Sequence, residues 1–202
     1  MSKINIENFE DYYAKICSDL SNEHFKVLRC DCFNECIGKQ IIPSIKGEMT
    51  CMELVPERAS HVAKMYPERE IIQGDLTNIP KPNEYFDVIL DLSTLDHIPD
   101  YKKALDEYQR VLAKDGVFYL ATWVSPFGYG KGLNMKRDCF NRKEIEQELR
   151  KRFYIVANAK LMRRKFRKYI HFREYRCVLK ENFNPNETVI ADKIGIDVKR
   201  EF

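Results

Sequence analysis

Between residues 25 and 123 the chain alternates short apolar runs with helix-patterned runs through five cycles, and the first four apolar runs each close on or near an acid. Phe25–Cys30, Met49–Glu53, Glu70–Gln73, Phe86–Asp91 and Val117–Trp123 read as strands. Residues 36–46, interrupted by Pro43, then 57–66, started by Pro56, and Asp100–Leu112 read as helices. The last of these carries Ala104, Leu105, Tyr108, Val111 and Leu112 on one apolar face. Strands separated by helices predict a mainly parallel sheet covered by helices. Residues 7–20 add an N-terminal amphipathic helix with Phe9, Tyr12, Tyr13, Ile16 and Leu20 at helical spacing. Further strands are predicted at 153–157 and 175–179, with a charged helix over 141–151 between the two halves. At 202 residues the chain suits one core. The expected division is an N-terminal lid helix over 1–24, a main domain over 25–180, and a tail over 181–202.

Ligands of open parallel sheets bind beyond the carboxyl ends of the strands. The residues there are Asp31 or its neighbours, Glu53, Asp75 and Asp91. A carboxylate at the second strand can accept both hydroxyls of a ribose, and another can accept from the exocyclic amine of adenine. Acids also favour helix N-termini, which lie at the same edge. The series of four points to a nucleoside ligand more than any one of them does.

Three segments carry a family resemblance. Ile71-Ile-Gln-Gly-Asp-Leu-Thr-Asn-Ile-Pro80, Phe86-Asp-Val-Ile-Leu-Asp-Leu-Ser-Thr-Leu-Asp-His-Ile-Pro-Asp100 and Arg110-Val-Leu-Ala-Lys-Asp-Gly-Val-Phe-Tyr-Leu120 follow each other at fixed spacing. Over residues 25–123 the chain resembles the class I S-adenosylmethionine-dependent methyltransferases. The resemblance implies an α/β fold with a seven-stranded, mainly parallel sheet and helices on both faces (Rossmann-like). The last strand, 175–179, would run antiparallel between the fifth and sixth. It implies S-adenosylmethionine as cofactor, with Glu53 on the ribose hydroxyls and Asp75 with the Leu76 backbone on the adenine. Leu54, Asp91 and Leu92 complete the expected cofactor contacts.

The first loop departs from the family pattern, which is an acid followed by alternating glycines. Here Val27-Leu-Arg-Cys-Asp-Cys-Phe-Asn-Glu-Cys-Ile-Gly38 stands instead. In one register Arg29 replaces the acid and Asp31, Phe33 and Glu35 replace the glycines. In the other Asp31 is the acid, and Phe33, Glu35 and Ile37 hold the glycine positions. Glycine offers positive φ and room for a ligand, and phenylalanine removes both. The expectation is retained binding, with Asp31 or Glu35 pairing with the cofactor's α-amino group and Phe33 and Asn34 packing beside it. The alternative is a non-catalytic binding protein on the same fold. The loop accounts in part for the low glycine content, 8 of 202 residues.

Methyl transfer from a sulfonium needs mainly positioning, with a base where the acceptor must lose a proton. His97, in the loop after the fourth strand, is the candidate base beside Asp91, and a capping role is the competing reading. Tyr12 and Tyr13 are candidates for a lid over the substrate, or for core packing. Charge locates the other substrate contacts. Residues 1–149 carry a net −6, residues 150–176 a net +10 with Glu174 as their single acid, and residues 177–202 a net −1. Arg163, Arg164 and Arg167, with Lys160, Lys165 and Lys168, would read phosphate or carboxylate. Residues 125–133, with Gly128, Gly130 and Gly132, form a loop suited to closing over a substrate. A small or glycan-type anionic acceptor is expected; RNA is the alternative, because aromatics interleave the basic residues.

Seven cysteines, an odd number, with no apolar N-terminal leader, predict reduced thiols in a reducing cytoplasm and no disulfide framework. Cys30, Cys32 and Cys36 lack the paired spacing of zinc sites, and no metal is expected. No apolar run reaches 18 residues, which excludes a membrane-spanning helix.

Overall fold

The computed structural model describes residues 2–5, 8–33, 35–125, 139–162 and 171–180. In chain order the strands are β1 (Ser2–Asn5), β2 (Lys26–Cys30), β3 (Glu48–Glu53), β4 (Glu70–Gln73), β5 (Phe86–Leu92), β6 (Leu112–Ser125), β7 (Phe140–Asn141), β8 (Phe153–Met162) and β9 (His171–Leu179). The helices are α1 (Phe9–Leu20), α2 (Glu35–Ser44), α3 (Pro56–Met65), α4 (Tyr101–Val111) and α5 (Arg142–Arg152). The nine described strands lie in one sheet of order β1-β8-β9-β6-β5-β2-β3-β4, with β7 pairing β6. The strands from β2 to β6 pair in parallel, and β9 runs antiparallel between β6 and β8. The expected seven-stranded arrangement is therefore present, including its antiparallel last strand, and β1 and the short β7 are additions to it.

Several boundaries move outward from the sequence expectation. The strands expected at 153–157 and 175–179 run over 153–162 and 171–179, because each supplies the other's ladder partners. Ser2–Asn5, expected within the N-terminal helical segment, pair with Ala159–Met162 as a parallel strand. The ladder to β8, not the local sequence, is what makes this segment a strand. Helix α1 starts only at Asn8, whose side chain accepts the Glu10 amide.

The sheet separates two apolar layers. On one face α1, α2 and α3 bring Tyr13, Ile16, Cys17, Ile41, Ile42 and Val62 against Val27, Cys51, Leu90 and Tyr119. On the other, α4 and α5 bring Leu105, Tyr108, Ile145 and Leu149 against Leu28, Ile89, Phe118 and Tyr175. Central strands sandwiched in this way have no wet side, so β5 buries both faces of its length. No helix among the described residues is long and apolar enough to cross a membrane.

Candidate active site

The strand ends of β2, β3, β4 and β5 lie side by side at one edge of the sheet, and two of the four expected acids meet there. Asp31 follows β2 directly. Its amide donates to the Met52 carbonyl at 2.9 Å, which carries the β2–β3 ladder one residue into the loop. That placement holds Asp31 at φ 55°, a left-handed conformation that suits glycine. The structure therefore selects the first register: Asp31 occupies a glycine position and Arg29 the position of the acid. Arg29 is fully buried, and its guanidinium donates to the Cys30 and Leu90 carbonyls.

Glu53 ends β3 and is only 2% exposed. Its Oε1 accepts the Val55 amide at 3.0 Å, and its Oε2 is buried with no hydrogen-bond partner. Burial, and then the facing Asp31 carboxyl, push Glu53 up to about 7. Once ionised, the carboxylate can accept hydroxyl donors at this unpartnered oxygen, and such donors in turn favour the charged form. This unused oxygen is the feature that fits a nucleoside ribose.

Phe33 follows in the same loop as Asp31. Its ring lies 5.5 Å, edge to face, from His61 and under the Arg58 guanidinium at 5.1 Å, both from α3. Its amide donates to Asp31 Oδ1, so the acid organises the loop that replaced the glycines. Leu54, beside Glu53, is 62% exposed, an apolar surface at the strand end. Asp75 is exposed, and its Oδ1 accepts the Thr77 amide at 2.8 Å. Leu76 and Leu92 are buried, in the α4 and α1 layers respectively.

Asp91, expected among the reacting and cofactor-binding groups, lies toward the core. It is completely buried on the α4 side, where Oδ1 accepts the Thr94 and Leu95 amides and Oδ2 accepts the Tyr108 hydroxyl. Burial raises its pKa, against those three donors. Both oxygens are thus engaged in folding the turn after β5. That turn starts at Ser93, another non-glycine residue with positive φ (68°), and continues as a short 3-10 segment, Leu95–His97. Asp96 is buried within it, and burial pushes it up to about 6. His97 follows at the surface.

Tyr13, for which a lid and core packing were both expected readings, is buried among Phe9, Tyr12 and Phe172. Tyr12 is half-buried, and its hydroxyl donates to Glu174 at 2.7 Å, as does that of Tyr119. Sequence reasoning did not select Glu174. The signal was its standing as the single acid in the +10 block. Asn34, Arg163, Arg164, Arg167, the 126–138 part of the glycine-bearing loop and the 181–202 tail lie outside the described residues, as does the side chain of Glu35.

The cysteines carry another correction. Cys32 and Cys51 form a disulfide, where reduced thiols were expected. The β2–β3 register brings them together, since Cys51 pairs with Arg29 and Cys32 lies just past the strand end. Among the described residues no cluster of potential ligands could hold a metal ion. The cleft of 260 Å³ lined by Leu20, Asp87 and Lys114 lies at the opposite, N-terminal edge of the sheet.

Comparison with known proteins places this edge in context. Residues 36–120 match the family model described as a methyltransferase domain. A probable S-adenosylmethionine-dependent methyltransferase of Mycobacterium tuberculosis is 26% identical over 122 residues, 60% of this chain and 44% of that protein. The chain thus spans less than half the length of that relative. Among solved structures, the MccD protein superposes with a TM-score of 0.69 at 11% identity, over 84% of this chain and 95% of that one. A didemethyltoxoflavin N1-methyltransferase of Burkholderia thailandensis, solved with its substrate and S-adenosylhomocysteine, gives 0.62 at 21% identity, over 83% and 77%.

Proposed function

We propose that the chain is a class I S-adenosylmethionine-dependent methyltransferase that transfers a methyl group to a small or glycan-type anionic acceptor, a reading supported by the methyltransferase-domain match over residues 36–120 and by the mycobacterial relative. The observation that carries the reading is the buried Oε2 of Glu53, without a partner, at the end of β3. S-adenosylmethionine is the family's cofactor, and the residues at this edge fit it. When bound it would supply an electrophilic methyl group on a sulfonium. Glu53 then accepts the ribose hydroxyls. Asp75 and the Leu76 backbone receive the adenine, and Leu54 and Leu92 flank it. Asp31 pairs with the α-amino group, and Phe33, Asn34 and Glu35 complete that side.

On the acceptor side, His97 is exposed immediately after the β5 turn and takes the proton an acceptor must lose. Tyr12 borders the site from α1, and Arg163, Arg164 and Arg167 supply positive charge for an acidic acceptor. Asp91 acts on this edge indirectly, by fixing the turn that presents His97.

Titration calorimetry with S-adenosylmethionine and S-adenosylhomocysteine tests the reading. Saturable binding that Glu53→Ala abolishes is the expected result. No heat and no thermal shift at millimolar ligand would overturn catalysis and leave a binding protein on a methyltransferase fold. RNA binding that weakens steeply between low and physiological salt would replace the small acceptor with RNA.

A further inference from the structure

We infer that Cys32 and Cys51 form a reversible thiol–disulfide latch that closes the cofactor edge when oxidised and opens it when reduced. The inference rests on the methyltransferase reading of that edge. The two residues are 19 apart in sequence and are bonded, with a Cα–Cα separation of 6.2 Å, inside the usual disulfide range of about 4.4–6.8 Å.

Their positions give the bond its effect. Cys32 sits between Asp31 and Phe33 in the loop that replaced the glycines. Cys51 lies two residues before Glu53 on the same face of β3, since strand side chains alternate. The bond therefore ties the loop to β3 directly beneath the Asp31–Glu53 pair and holds the two carboxyls facing each other. Held there, the Asp31 carboxyl competes with ribose hydroxyls for Glu53, and a loop freed from β3 would relieve that competition. The Arg29 carbonyl lies 3.8 Å from Cys32 Sγ and would be at hand as an acceptor for a freed thiol.

Three of the other thiols are held back by burial. Burial pushes Cys17 up to about 12 and raises Cys30 and Cys177 well above the ordinary thiol range, which makes their thiolates scarce. Cys32 is the more accessible member of the pair, at 3% against 0% exposure, and stands in a loop. The oxidant is a low-molecular-weight disulfide, RSSR. The Cys32 thiolate attacks one of its sulfurs and expels RS⁻. The Cys51 thiolate then attacks Cys32 Sγ of the mixed disulfide and expels the second RS⁻. Two protein thiols and RSSR become one protein disulfide and two RSH. A dithiol reverses the sequence. In a reducing compartment such a bond is transient and regulatory, which reconciles it with the odd cysteine count.

The test uses the full chain, oxidised with glutathione disulfide or reduced with dithiothreitol. Thiol counting in denaturant and peptide mapping read the bond, and calorimetry with S-adenosylhomocysteine reads the edge. The oxidised form should show two fewer thiols, a mapped Cys32–Cys51 peptide, and affinity at least fivefold weaker than the reduced form. Cys32→Ser, a loop substitution, should bind like the reduced form under both conditions. Affinities within twofold of each other, tighter binding when oxidised, or a mapped bond between other cysteines would overturn the latch. Failure of both natively folded forms to bind would overturn the methyltransferase reading, and the latch as a cofactor gate with it. The thiol count and peptide map would still report the bond itself.

Discussion

Replacing Glu53 by glutamine should make the protein's stability less dependent on pH while weakening its hold on the cofactor. Glu53 is buried against Asp31, and burial with that neighbour raises it to about 7, from an unfolded value near 4.5. The sign follows from proton counting. Between the two values the folded state holds a proton that the unfolded state has lost, so stability falls as pH rises through 7. Between pH 6 and pH 8 the folded group passes from about 90% to about 10% protonated, and the unfolded group is ionised throughout. The loss is one pH unit's worth, about 1.4 kcal/mol, an upper figure wherever water screens the pair. For a chain of this size that is about 3–5 °C in Tm. Glu53→Gln removes the titration and with it this slope. It also removes the carboxylate that accepts the ribose hydroxyls; hydrogen bonds to a charged group contribute about 1.5–3 kcal/mol, or roughly 10- to 150-fold in affinity. Thermal denaturation at pH 6 and pH 8 and calorimetry with S-adenosylhomocysteine measure the two effects. A variant with the wild-type pH slope, or one with unchanged affinity, would refute the reasoning.

Two further substitutions probe how the edge is held. Asp91→Ala strands the Thr94 and Leu95 amides and the Tyr108 hydroxyl in the core; a loss of about 3–5 kcal/mol is expected, read as a lower midpoint in urea denaturation. Gly47→Ala places a Cβ against the Asn22 and Phe25 carbonyl oxygens at φ 81°. It should cost about 2 kcal/mol or more in the same assay, because backbone on both sides prevents relief.

The cycle of strands and helices was legible because each segment's apolar period matches the surface it buries, as in α4, where Ala104, Leu105, Tyr108 and Val111 are buried as their spacing predicts, while Leu112 already belongs to β6. The ends of elements were less legible, since Ala159–Met162 become strand only through β1 and β9. At the site, sequence could name Glu53 but not orient Asp91. A strand buried on both faces gives no alternation to read, so the inward turn of Asp91 depends on Tyr108 arriving from α4. The register of the first loop was undecided for a similar reason. The positive φ of Asp31 arises from a ladder bond to Met52, a residue 21 positions away. The same strand pairing brings Cys32 to Cys51, which no count of cysteines reveals.

The hydrogen bond from Tyr12 to Glu174 has a consequence for how the chain is made. Its partners are 162 residues apart. Synthesis at about 5–20 residues per second separates their appearance by on the order of ten to thirty seconds. During that interval α1 can rest on α2, its early neighbour in the same apolar layer. Its first turns cannot be seated, because Phe9, Tyr12 and Tyr13 find Phe172 and Glu174 only when β9 has been inserted between β6 and β8. The helix that leaves the ribosome first is among the last to lock. A nascent chain stopped before β9 should therefore hold an assembled β2–β6 sheet under an N-terminal helix still open to proteases.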